Sequence, residues 1–177
     1  MKQSLSLIAA LALLAAPAAA QDQMMAGDHT DPITSITKLQ DQYLGWVIVS
    51  AEMVTEANWN YRPTAEVRSF GELFGHVANA NYLFCAGARG QESPSKVDFE
   101  KAGRAATIAG LKAAAAYCTE TAEWGKAHHH DPVEFFGTKG DVTWVMAFNV
   151  AHNSEHYGNI VTYLRLKGMV PPSSQGG

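Results

Sequence analysis

The sequence predicts an all-α protein, a four-helix bundle, on three observations. Four long segments repeat apolar side chains at three- and four-residue steps, the spacing that keeps one helical face toward a core. Helix boundaries are marked by capping residues, prolines and glycines. No stretch of five or more residues alternates strictly between apolar and polar, so no strand is expected.

The first twenty residues, with basic Lys2, an apolar run from Leu5 to Ala16 and small Ala18-Ala19-Ala20, read as a secretory signal peptide. The apolar run is too short to cross a hydrocarbon core of roughly 30 Å. A soluble chain beginning near Gln21, periplasmic or secreted, is expected, with residues 21–30 as a flexible lead. Asp31-Pro32 then offers an N-cap followed by proline at the first helical position. Ile33, Ile36, Tyr43, Val47, Val54 and Ala57 form the stripe of a first helix over about 32–58. Ser69 stands three residues before Glu72, the pattern of a capping box. A second helix follows from about Phe70, with Phe70, Leu73, Phe74, Val77 and Phe84 as its stripe, ending near Gly87 or Gly90. The third, about Lys101 to Lys126, is mostly alanine, which favours helix and close approach. Its exposed parts offer a surface for a homodimer. His128-His129-His130-Asp131-Pro132 breaks it, and Phe135 through Gly140 reads as a loop packed by its aromatic residues. A fourth helix opens near Asp141 and runs to about Lys167. Gly168 and Pro171-Pro172 end it, leaving 171–177 as a flexible tail. Residues 31–170 thus make one bundle domain, with no internal repeat or linker.

Lys and Arg number 13 against 17 Asp and Glu, a net charge of −4. No basic cluster could neutralise a row of phosphates, so nucleic acid is not an expected partner. Beyond the signal peptide no segment could span a membrane. Cys85 and Cys118 would be either a disulfide, which an oxidising compartment preserves, or two buried thiols. No CxxC is present, and no cysteine stands near a histidine in sequence.

His152 and His156 are the residues that point to chemistry. Four positions apart on a helix, they lie about 40° apart around the axis and about 6 Å along it, so both imidazoles can reach one ion. They also occupy the row Val145, Asn149, His152, His156, Ile160, Tyr163, where apolar side chains would otherwise pack, and two buried unpartnered imidazoles would be costly. The alternative is a pair of core-edge histidines satisfied by neighbours. Asn153, Glu155, Tyr157 and Asn159 are close enough in sequence to orient ligand rings. His76 flanks the stripe of the second helix, and spacing alone does not bring it to the other two. The tract His128–His130 can bind metal adventitiously, but adjacent loop residues cannot easily aim three rings at one ion. Among the carboxylates, Glu52, Glu72, Asp131 and Glu134 suit capping or solvated positions. Glu155 is the one candidate for acid or base work, although its place between the two histidines turns it off their face.

The run Ala151-His152-Asn153-Ser154-Glu155-His156-Tyr157-Gly158-Asn159-Ile160, followed by Tyr163-Leu164-Arg165 and Gly168, resembles the end of DinB-like proteins of the DinB/YfiT superfamily. Ser69-Phe70-Gly71-Glu72-Leu73-Phe74-Gly75-His76-Val77 is similar to the same family's second-helix motif. The resemblance implies an up-and-down style bundle in which His76, His152 and His156 hold a divalent metal. Three imidazoles suit zinc or nickel and leave a coordination position for water or substrate. Two functions then stand as expectations: a metal-dependent enzyme acting on a small molecule, of hydrolase or thiol-transferase type, or a non-enzymatic, stress-associated bundle whose ion is structural.

Overall fold

A computed structural model of the chain describes residues 31–175; the expected signal peptide and flexible lead lie outside them. Helix α1, Pro32–Met53, starts where Asp31 caps it, the carboxylate accepting from the Thr34 amide at 2.6 Å. It ends five residues before the expected position 58, because Val54 turns extended and Glu56–Asn58 form only a short 3-10 turn. Helix α2, Phe70–Ala88, opens on the complete capping box of Ser69 and Glu72. Helices α3, Arg104–His128, and α4, Val142–Leu166, follow, the latter capped by Asp141 on the Trp144 amide. No helix among the described residues is long and apolar enough to cross a membrane.

Helix α1 packs on α3 and α4, and α2 packs on the same two, so α1 and α2 stand diagonally across the bundle. Chain direction follows from the contacts. Phe99 lies on Gly75 and Gly110, Cys85 is joined to Cys118, and Arg89 donates to the Glu120 carbonyl at 3.4 Å. Both numbers rise together, so α2 and α3 run parallel. Ile33 and Val142 both lie beside Gly125, which puts the starts of α1 and α4 at one end, with the end of α3. The order is up, down, down, up rather than the simple alternation the resemblance implied. Residues 89–103 therefore return along the length of the bundle before α3 begins.

Two further corrections concern irregular segments. Residues 132–141 form an antiparallel hairpin, β1, Pro132–Phe135, with β2, Thr138–Asp141, in which Phe135 pairs with Thr138. Four-residue strands are too short to display alternation. The connection is Phe136-Gly137, both with positive φ, 51° and 72°, as a two-residue hairpin turn demands. The segment expected as a free C-terminal tail is docked over residues 171–175. Pro171 is buried, and Tyr157 both donates to the Ser173 hydroxyl at 2.8 Å and accepts from its amide at 2.9 Å.

The core is divided. One apolar cluster surrounds Leu44, Val47, Phe70, Phe74, Leu111, Ile160 and Leu164; another surrounds Ile33, Phe84, Phe135, Val142 and Val145. Between them lies a buried layer of amides. Asn81 Oδ1 accepts from Gln40 at 2.6 Å, Asn149 at 3.0 Å and Asn153 at 3.1 Å, while its Nδ2 donates to the Asn153 side chain at 2.8 Å. The Cys85–Cys118 disulfide, one of the two states open in the sequence, ties α2 to α3 beside this layer. Asn149 Oδ1 is left without a partner; the other amides satisfy one another and so fix which helix faces which.

Candidate metal centre

Antiparallel packing of α2 against α4 brings His76 to His152 and His156. The Nε2 atoms converge: His152 Nε2 is 3.1 Å from that of His76 and 3.0 Å from that of His156. Among the described residues this is the group of histidine, cysteine and carboxylate side chains whose donor atoms come together.

The fourth member of the site was not found from sequence. Glu100, in the 3-10 turn Phe99–Lys101, accepts from His76 Nδ1 at 3.0 Å and pairs through its other oxygen with Arg68 Nε at 3.1 Å. Its position depends on glycine. A Cβ on Gly75 would collide with the Phe99 carbonyl and the Glu100 amide, and one on Gly110 with the Phe99 ring. The Phe99 amide donates to Asn79 at 3.0 Å, and its carbonyl accepts from Thr107 at 3.2 Å. The turn is thus pressed onto α2 and α3, one residue away from the ring it holds. The only local signal was Asp98, whose side chain caps the Glu100 amide.

Proton placement tests whether an ion fits. Glu100 holds the His76 proton on Nδ1, so His76 Nε2 presents a lone pair. His152 Nε2 has two close nitrogen neighbours, and one neutral imidazole nitrogen cannot donate to the first while accepting from the second. Three neutral rings therefore leave one of the two short contacts without a hydrogen bond. Adding protons is opposed as well. Burial, then the neighbouring His156 and His76, lowers the His152 pKa to about 3; burial and His76 lower that of His156 to about 4. A divalent cation at the centre turns all three lone pairs into ligands. Two nitrogens each about 2.1 Å from one ion stand about 3.0–3.4 Å apart between right-angle and tetrahedral arrangements, the spacing His152 has to His76 and to His156, and all three donor atoms lie within 4.8 Å of one another.

The orienting residues expected from sequence are engaged elsewhere. Asn153 belongs to the amide layer, Tyr157 holds Ser173, and Asn159 lines a cavity. The Nδ1 atoms of His152 and His156 are buried without a hydrogen-bond partner. Glu155 makes no hydrogen bond to the triad; it is exposed and lines, with His156, a cavity of about 600 Å³ that also holds Arg62, Arg68 and Tyr163. The His129 and His130 rings lie 4.2 Å apart, but the histidine tract does not bring three donor atoms together. His128 stacks on Trp124 and pairs with Asp131 at 2.7 Å, His129 donates to the Lys126 carbonyl, and His130 stands 3.7 Å from Asp141.

Comparison with known proteins agrees with this architecture. The crystal structure of a DinB-like protein from Bacillus cereus ATCC 10987 superposes with a TM-score of 0.69, covering 78% of this chain and 95% of that one at 12% sequence identity, a likeness of fold. No curated protein sequence matches the chain. The DinB superfamily model matches residues 46–160, a span that includes all three histidines and Glu100, and the chain belongs to the DinB superfamily.

Proposed function

We propose that the chain binds one divalent metal ion, zinc or nickel, through His76, His152 and His156, and uses it as a metal-dependent enzyme on a small molecule. The observation that carries the reading is the convergence of three Nε2 atoms whose two short contacts cannot both be hydrogen bonds. A catalytic rather than structural ion is favoured by access. Cavities reach the triad from two sides, one touching His156 and the other His76 and His152, whereas a structural site is closed.

When bound, the ion would supply Lewis acidity, lowering the pKa of a water or polarising a carbonyl or thiol. The chain's own groups do the rest. Glu100 holds the His76 ring in the tautomer that presents Nε2. Arg68 and Arg62 lie on the wall of the larger cavity, each paired with a carboxylate, and Glu66 and Glu155 line it as well, so this wall offers donors and acceptors to a polar part of a substrate. Glu155 is the carboxylate on that wall next to His156 with no cationic partner, and a proton acceptor there would work through solvent. Hydrolysis of an ester or amide suits these groups at least as well as thiol transfer, because the signal-like N-terminus argues for a compartment outside the cytosol, where low-molecular-weight thiols are scarce.

The test is elemental analysis of untagged protein, followed by zinc and nickel titration of the wild type and of His152→Ala and His156→Ala. About one ion per chain, lost in both variants, is expected. Loaded protein is then screened for ester and amide hydrolysis and thiol conjugation. Less than about a tenth of an ion per chain after loading, or activity indifferent to both substitutions, refutes the reading.

A further inference from the structure

Phe136 occupies a position that opposes stability in two ways. It sits at φ 51°, a conformation bulky L residues avoid, and two thirds of its surface is exposed. Glycine would suit the turn better. The hairpin that carries it is firmly placed. Phe135 is buried against Gly87 and Phe84 of α2, and Trp144 of α4 covers Gly140. The turn therefore projects the Phe136 ring to one spot. There it walls a cavity of about 340 Å³ together with Leu83 and Phe84 from α2 and Phe148 from α4, and the same cavity touches His76 and His152. Leu83 and Phe148 are also exposed, at 43% and 41%.

We propose that this chamber is the apolar subsite of the substrate, receiving an aryl ring or a branched alkyl group of similar size, and that Phe136 sets the preference. The proposal rests on the reading of the triad as a metal-dependent site for a small molecule. Three observations select this occupant. The volume lies at the low end for small-molecule pockets, about 300–1,000 Å³, and is too small for a helix of a partner protein. The walls offer aromatic and aliphatic carbon, and polar atoms come only from Asn79 and the two histidines. The chamber and the arginine-bearing cavity meet the triad from different sides, so an apolar group here leaves the polar part of the same molecule at the histidines.

The experiment has a metal-free arm and a metal-loaded arm. Metal-free wild type and Phe136→Gly are titrated with benzyl alcohol and followed by amide and methyl NMR shifts. The zinc-loaded proteins, with Phe148→Ala as a second variant, are titrated with benzohydroxamate and acetohydroxamate, which share a metal-binding head and differ in the apolar group. The expected result is saturable shifts at Leu83, Phe136 and Phe148 in the wild type. Benzohydroxamate should bind at least about tenfold tighter than acetohydroxamate. In Phe136→Gly the preference should fall to about threefold or less, with acetohydroxamate affinity kept and the melting temperature near wild type, since glycine accepts the turn. Equal affinities in the wild type, a preference retained in Phe136→Gly, or benzyl alcohol shifts confined to other residues overturn the proposal, and a preference that also falls in Phe148→Ala supports it. So does a wild-type dimer that Phe136→Gly dissociates, which would make the patch an interface between copies. If zinc fails to bind at all, the metal reading falls by itself; benzyl alcohol shifts present in the wild type and lost in Phe136→Gly still carry the subsite, and their absence overturns it.

Discussion

Replacing Glu100 tests how the site is organised, because this carboxylate touches His76 and no other ligand. A hydrogen bond from an imidazole to a charged acceptor contributes about 1.5–3 kcal/mol. The Glu100 side chain is 30% exposed and shares its charge with Arg68, so the lower end applies. About 1.5 kcal/mol is about tenfold in affinity. Glu100→Ala should therefore weaken zinc binding about tenfold, and Glu100→Gln, which keeps a neutral acceptor for the Nδ1 proton, about threefold. Competition against a chelating dye at fixed pH and salt measures both. Nitrogen chemical shifts of the His76 ring supply a readout that a loss of packing would not move: the Nδ1-protonated tautomer dominates in the wild type and loses its majority in Glu100→Ala. Affinity within twofold of wild type in Glu100→Ala, with helicity unchanged, would refute the assignment of Glu100 as the residue that sets the His76 tautomer.

Two further outcomes follow from burial and covalent chemistry. In metal-free protein His152 and His156 have folded-state pKa values of about 3 and about 4, below their ordinary value of 6.5. The unfolded chain then binds more protons between about pH 6.5 and 3, so stability is full at pH 7 and falls as pH is lowered through that window. Allowing half the ideal value for partial solvent access, the pair costs about 2 kcal/mol between pH 7 and pH 5. Urea midpoints at pH 7, 6 and 5 should track this loss, and His156→Gln should reduce it; a flat profile counts against neutral buried rings. The Cys85–Cys118 disulfide spans 33 positions, for which loop-closure entropy gives about 3–4 kcal/mol. Its reduction, or the double replacement by alanine, should lower the urea midpoint accordingly, and a loss below about 1 kcal/mol would contradict that origin.

Helix starts were legible because they are local: Asp31-Pro32, Ser69 with Glu72, and Asp141 cap helices as their side chains allow. His152 and His156 were legible for the same reason, lying one turn apart. His76 came from family resemblance, since no spacing rule reaches across 76 positions from α2 to α4. Glu100 was illegible because a wedge of Phe99 between two glycines on different helices delivers it, and each glycine alone resembles an ordinary helical position. The hairpin was hidden by its brevity, and Phe136 by its reading as loop packing. The parallel course of α2 and α3 follows from the returning segment 89–103, whose composition signals a turn and carries no sign of direction.

That course also governs how the molecule comes together in time. A bundle whose successive helices are neighbours can fold by adding each helix to the last. Here α1 and α2 meet little, and so do α3 and α4, while the main partners of α1 are the two helices furthest along the chain. Apart from the α2–α3 pair, the helix contacts are consequently remote in sequence, and such proteins fold more slowly than bundles built from local hairpins. Until residues 142–166 have left the ribosome, α1 and α2 each lack a partner face and two of the three histidines do not exist. The triad is a late product of folding, and the faces of α1 and α2 that α4 covers stay open until then.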